Sequence, residues 1–272
     1  MEKYHQTASQ LSKHLTNAYS TSFSLSIRLF SPALRPHIYA IYGLVRVADE
    51  IVDTYMGNNA LELLNELEHD TYRALKSGFS ANPIVHAFAH TARQYDIQKN
   101  LVAPFFTSMR MDLTPQTYTK NNHETYIDGS AEVVGLMCLK VFGGNFEKRE
   151  PGARRLGAAY QKVNFLRDIA ADSQELQRWY FPNSTVESFD ENAKKVIITN
   201  IEKDFSAAKK SIQQLPDSSR RAVVLSYRYY SVLLKKLKTT PAKELLKKRI
   251  RINNGYKVLL LIRTSLPGGD RV

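Results

Sequence analysis

The stretch Gln161-Lys-Val-Asn-Phe-Leu-Arg-Asp-Ile-Ala-Ala-Asp172 decides the fold. Val163, Leu166 and Ile169 fall at helical spacing, and no Gly or Pro interrupts the run before Pro182, so the stretch predicts a helix. On that helix Asn164, Asp168 and Asp172 follow at i, i+4 and i+8 and stack along one face. Like charges at this spacing cost roughly 0.2–0.5 kcal/mol per pair, a mild penalty that a cation over the row would remove. Such oxygen donors suit hard divalent ions, which take one or two carboxylates and complete their shell with water and substrate phosphates. A solvated acidic face would read the same way from this stretch alone.

A second copy of the spacing lies in Tyr39-Ala-Ile-Tyr-Gly-Leu-Val-Arg-Val-Ala-Asp-Glu-Ile-Val-Asp53. Asp49 and Asp53 are again i, i+4, Glu50 adjoins them and Arg46 stands one turn before Asp49. Ile41, Tyr42, Leu44, Val45, Val47, Ile51 and Val52 surround these acids, so the helix is expected to be buried over most of its circumference. Buried carboxylates without cations are costly. Two acidic helices facing each other across a cavity would hold a cluster of Mg²⁺, and that cluster would hold a diphosphate.

These two motifs resemble the paired aspartate-rich motifs of the squalene and phytoene synthase family. Their context is similar too: Ser20-Thr-Ser-Phe23, Met111-Asp112-Leu113, Gly129-Ser-Ala-Glu-Val-Val-Gly-Leu-Met-Cys-Leu-Lys-Val-Phe142 and Arg178-Trp-Tyr-Phe-Pro182 stand in the family's order. The likeness runs from about Tyr19 to Arg263 and is closest to bacterial phytoene synthases. It implies an all-α isoprenoid synthase bundle around one central cavity. It also implies Mg²⁺, with Mn²⁺ as a possible substitute, on Asp49, Asp53, Asn164, Asp168 and Asp172. Those four aspartates, Arg46 and Tyr42 become the catalytic candidates. Ser22, Phe23, Arg46, Gln161, Asn164, Arg167, Tyr19 and Gly135 become the candidates for holding prenyl diphosphate substrates.

The reaction implied is head-to-head joining of two geranylgeranyl diphosphates, through a cyclopropylcarbinyl diphosphate, to phytoene, with no NADPH expected. The alternatives are a squalene or dehydrosqualene synthase acting on farnesyl diphosphate, or a non-catalytic relative. One departure is visible: many relatives carry a second tyrosine two residues after the one matching Tyr126, and Asp128 stands there instead.

The rest of the chain agrees with a helical reading. Its 272 residues are 43% hydrophobic, with 12 Gly, 10 Pro and no linker-like tract, which fits a single domain over 1–272. Helices are expected over about Lys3–Tyr19, His37–Tyr55, Leu61–Lys76, Asn82–Tyr95, Leu101–Asp112, Asn122–Val141, Lys148–Asp172, Glu191–Gln214, Ser218–Lys236 and onward from Pro241. Gly129, Ser130, Ala131, Gly135 and Cys138 make a small-residue segment, explained either by a neighbouring helix or by a long ligand beside it. Phe23, Tyr39 and Tyr42 could offer aromatic faces to a carbocation, whereas Tyr229 and Tyr230 read as core.

Composition excludes several classes. The single Cys138 rules out an internal disulfide. His86 and His90 at i, i+4 lack the glutamate and cysteines of a zinc site, and no GxGxxG or GxxxxGK[ST] loop is present. The N-terminus has no apolar signal region, and the run Val258–Ile262 is far short of the roughly 20 residues needed to cross a bilayer. A net charge of +12 concentrates in Lys235, Lys236, Lys238, Lys243, Lys247, Lys248, Arg249 and Arg251. With no nucleic-acid-binding signature, that charge is read as contact with substrate and an anionic membrane surface, releasable by salt. The expected protein is cytoplasmic and peripherally membrane-associated, a monomer or weak dimer.

Overall fold

Local signals set most helix ends. In the computed structural model, which describes residues 1–55, 57–114, 118–182 and 184–272, the chain forms helices and no strand among the described residues. α1 (Glu2–Tyr19) stops at Ser20, whose hydroxyl accepts from the Phe23 N–H at 3.2 Å and so opens α2 (Thr21–Ile27). α3 (Arg35–Asp49) begins with Pro36 in its first turn, where the missing N–H costs nothing. It passes directly into a π-helical turn, Glu50–Thr54, so the expected single α-helix through Tyr55 is instead re-wound just after Asp49.

α4 (Ala60–Ser77) ends at Gly78, whose φ of 82° is the left-handed conformation glycine takes cheaply. α5 (Pro83–Gln94) is capped by the Asn82 side chain, and α6 (Lys99–Met111) follows. The expected helix over 122–141 is broken in three: α7 (Lys120–Ile127), a second π-helical turn at Asp128–Glu132, and α8 (Val133–Phe142). A Cβ on Gly129 in that turn would collide with the Pro104 carbonyl and the Ser108 hydroxyl of α6, so close helix packing accounts for this glycine. α9 (Phe146–Gln174) is the longest helix, at 29 residues, and spans the cavity wall. α10 (Glu191–Gln213), α11 (Asp217–Thr239), the one-turn α12 (Ala242–Leu245) and α13 (Asn254–Ser265) complete the chain.

α9 packs along α10 and α8, α1 rests on α3 and α5, and α13 lies on α11 and α2. One apolar core gathers Ile41, Leu44, Phe88, Phe105 and Phe106 from α3, α5 and α6. A second gathers Phe165, Leu166, Trp179, Phe205 and Leu233 around α9 to α11. The aromatic Trp179-Tyr-Phe181 segment after α9 wedges into the second core, with the Phe165 and Tyr180 rings stacked at 4.1 Å. Among the described residues no helix is long and apolar enough to cross a membrane.

Candidate active site

A cavity of about 600 Å³, within the size range of ligand sites, is lined from both cores. α3 contributes Ile41, Tyr42, Val45, Arg46 and Asp49, one face of a helix with 3.6 residues per turn, and the π turn adds Asp53. α9 contributes Gln161, Asn164, Arg167, Asp168 and Asp172 in the same way. The two acidic motifs therefore open onto one space. Removal from water pushes the Asp49 carboxyl up to about 8, with the charge of Asp53 adding to the rise and Arg46, 3.8 Å away, opposing it. Burial likewise raises Asp172 to about 8, followed by the charge of Asp168, and Asp53 of the other motif contributes.

Arginines frame these acids. Arg167 grips Asp168 with two bonds, Nε to Oδ1 at 2.9 Å and Nη2 to Oδ2 at 2.5 Å. Arg46 pairs with Glu50, stacks over the Tyr19 ring at 4.4 Å, and keeps a buried Nε with no hydrogen-bond partner among the described residues. Phe23 and Tyr42 lie ring to ring at 5.5 Å on the wall, and burial raises the Tyr42 hydroxyl to about 12, so it stays protonated. Gly135 lines the wall where a Cβ would meet the Ala153 carbonyl at 3.2 Å. Ser22 is not among the cavity-lining residues. Ser20, the cap of α2, takes that place, because the bend between α1 and α2 turns its side of the chain inward.

Other lining residues were not among the site candidates read from the sequence. Arg178, only 5% exposed at its side chain, donates from Nη1 to Asp53 Oδ1 at 2.6 Å and from Nη2 to the Val52 and Asp112 carbonyls at 2.8 and 2.6 Å. Its backbone N–H donates to the Asp172 carbonyl at 2.8 Å, past Gln177, which adopts a left-handed φ of 53°. Asp112 accepts from the hydroxyls of Tyr126 at 2.6 Å and Tyr180 at 2.9 Å, and burial lifts it to about 6 against the pull of Arg178. Arg249 reaches Asp168 with Nε at 2.7 Å, although its sequence context is a basic run. Tyr230, expected in the core, lines the cavity and donates to Asn164 Oδ1 at 3.2 Å.

The donor set suits a hard divalent cation. It consists of carboxylate and amide oxygens, and burial together with neighbouring carboxylates holds Asp49 and Asp172 high despite Arg46 and Arg178. Among the described residues no three His, Cys, Asp or Glu side chains gather tightly enough to hold an ion unaided, so a bound ion would draw the rest of its shell from water and phosphate.

The description squalene/phytoene synthase matches residues 16–255. The chain belongs to that family. A presqualene diphosphate synthase of Zymomonas mobilis is 30% identical over 190 residues, 68% of this chain and 64% of that protein. A phytoene synthase of Arthrospira platensis is 30% identical over 190 residues, 64% of this chain and 60% of that one, so the matched stretch spans less than two thirds of either relative. A dehydrosqualene synthase crystal structure superimposes with a TM-score of 0.83 over 96% of both chains at 19% identity. The squalene synthase HpnC of Alicyclobacillus acidocaldarius gives 0.77 over 90% of this chain and 97% of that one, also at 19%. At such identity these likenesses show the fold, an isoprenoid synthase helical bundle, which agrees with the all-α expectation.

Proposed function

We propose that the protein joins two geranylgeranyl diphosphates head to head, through a cyclopropylcarbinyl diphosphate, to phytoene, without NADPH. The observation that carries this reading is the placing of both acidic motifs, with Arg46, Arg167, Arg178 and Arg249, at one cavity whose remaining lining is mostly apolar and aromatic. The polar side fits diphosphates and the apolar side fits prenyl tails.

Asp49, Asp53, Asn164, Asp168 and Asp172 would hold Mg²⁺, with Mn²⁺ as a substitute. When bound, the metal neutralises the diphosphate and makes it a better leaving group. The chain's own residues do the rest. Arg46 at the cavity wall offers its guanidinium charge to a diphosphate, and Arg167 and Arg249 hold Asp168 in one orientation from two sides. Tyr230 fixes the Asn164 amide with its oxygen toward the hydroxyl.

As the carbon–oxygen bond breaks, the electron pair leaves with diphosphate and an allylic cation remains. Phe23 and Tyr42 supply ring faces beside it, each worth on the order of 2 kcal/mol when desolvated. The second substrate's double bond then attacks, giving the cyclopropyl ring with loss of one proton. After the second ionisation and rearrangement, released diphosphate or a bound water takes the final proton. The protein would work in the cytoplasm at a membrane surface, where such tails reside.

A second reading has its own support: the Zymomonas mobilis relative is a presqualene diphosphate synthase, which points to farnesyl diphosphate and a reaction stopping at the cyclopropyl diphosphate. Incubation with Mg²⁺ and either farnesyl or geranylgeranyl diphosphate, with and without NADPH, separates the two. Phytoene from geranylgeranyl diphosphate in both conditions is expected. Turnover of farnesyl diphosphate alone, a saturated central bond formed only with NADPH, or accumulation of a cyclopropyl diphosphate would overturn it.

A further inference from the structure

The last helix is apolar on two opposite sides. Leu260 and Thr264 are buried and Leu261 is half-buried on the side facing α11 and α2. Val258, Leu259, Ile262 and, just past the helix end, Leu266 are 45, 46, 53 and 54% exposed. They recur at i, i+1, i+4 and i+8, which places them in one stripe on the side away from the protein. A helix that is apolar all round is ordinarily buried, yet nothing among the described residues covers this stripe.

The chain leading into it carries mostly one sign of charge, and the acid that follows it, Asp270, is paired with Arg220 at 2.9 Å. From Lys235 to Arg263 the chain has ten basic residues and one acid, Glu244, which Lys247 and Lys248 already occupy at 3.3 and 3.1 Å. Lys247, Lys248 and Arg251 are exposed immediately before the helix, and Arg263 is exposed within it. An exposed aliphatic strip with Arg263 on the same helix and exposed cations in the segment leading into it is complementary to an anionic bilayer, with the strip at the acyl boundary and the cations among the headgroups.

We propose that α13 is a membrane-docking helix that inserts Val258, Leu259, Ile262 and Leu266 into an anionic lipid surface, with Lys247, Lys248, Arg251 and Arg263 on the headgroups. α11 and α2, on which it lies, both line the cavity, through Val223 and Tyr230 and through Phe23 and Ile27. The docked bilayer therefore backs onto the cavity wall. The sequence alone suggests an association that salt releases, because only the charges are legible there. The stripe adds a component that salt does not screen. The inference concerns binding and is independent of which prenyl diphosphate the cavity takes.

Sedimentation with phosphatidylcholine vesicles, with and without phosphatidylglycerol, tests it on the whole protein in the absence of substrate. Wild type is expected to bind the anionic vesicles and to stay partly bound in high salt. Leu259→Ser/Ile262→Ser should weaken binding at least about tenfold at either salt. Lys247→Gln/Lys248→Gln/Arg251→Gln should weaken low-salt binding by about tenfold or more and leave the high-salt fraction unchanged. Val196→Ser, at a position 70% exposed on α10, should change nothing. Circular dichroism checks that each variant is folded. Absence of vesicle binding by wild type, or equal loss from Val196→Ser, overturns the proposal. So does a wild-type dimer that the double serine variant dissociates, with no vesicle binding.

Discussion

Arg178 Nη1 lies 2.6 Å from Asp53 Oδ1, an ion pair between residues 125 positions apart that closes one acidic motif onto the segment following the other. Since the Arg178 backbone also holds the Asp172 carbonyl, this single residue fixes the separation of the two motifs. Losing the guanidinium would leave the buried Asp112, which lies 3.8 Å from it, with its tyrosine hydroxyls but no cation, and would strand two backbone carbonyls. Removing one partner of a buried pair costs about 3–5 kcal/mol. Arg178→Met is therefore expected to lower Tm by roughly 6–10 °C and to depress turnover further than its residual folded fraction explains. Arg178→Lys, which keeps the charge but not the fork, should recover stability more than activity. A Met variant as stable as wild type would contradict this role.

Asp49→Asn and Asp168→Asn should each cut turnover by at least about a hundredfold while far-ultraviolet circular dichroism stays unchanged. The helices should survive both changes: Asp49 is held in an unfavourable, water-poor place, and Asp168→Asn keeps an amide oxygen for the two arginines that share it. Activity within a few-fold of wild type in both variants would remove the metal assignment.

Metal-free protein should lose stability as pH rises from about 6.5 to about 8. Asp49 and Asp172 have folded pKa values raised to about 8 from 3.8, so the folded state binds more protons than the unfolded state in that range. Stability then falls with pH. His37 and His123, lowered to about 4 by burial, act with the opposite sign, but only below their unfolded value near 6.5. Thermal melts in chelator across this window should show a falling Tm, and Asp49→Asn/Asp172→Asn should flatten it. A Tm that rises with pH in the wild type would be incompatible with burial holding these two acids protonated.

The two glycines of the small-residue segment should respond differently. Gly129→Ala forces a Cβ into the Pro104 carbonyl and should cost about 1–3 kcal/mol of stability with no change in substrate preference. Gly135→Ala meets only the Ala153 carbonyl at 3.2 Å and projects at the cavity wall, so its main effect should be a larger loss of turnover on longer prenyl chains than on shorter ones. Comparing melts and chain-length profiles of the two variants checks both.

What the sequence made legible was whatever depends on near neighbours. The faces of α3 and α9 follow from periodicity, and so do the acids they carry. α2 escaped because seven residues in a serine-rich stretch carry too little periodicity, and with it went the choice of Ser20 over Ser22. The π turn after Ile127 depends on close packing against α6, as the collision awaiting a Cβ at Gly129 shows, and the one after Asp49 leaves the apolar spacing of α3 unbroken and so gives no sign of itself in the sequence. Arg178, Arg249 and Tyr230 acquire their partners from 125, 81 and 66 positions away, distances at which spacing carries no information. The outward stripe of α13 is only a short apolar run in the sequence until its lack of cover is seen.

The central claim is that the two acidic motifs form one diphosphate site. Calorimetric titration of inorganic diphosphate into the protein with Mg²⁺, repeated for Asp49→Asn and Asp168→Asn, addresses it without any catalytic step. The account predicts binding that needs Mg²⁺ and is weakened at least about tenfold by either substitution, one from each motif. Binding that either substitution leaves at wild-type strength, or that persists unchanged without Mg²⁺, would contradict it.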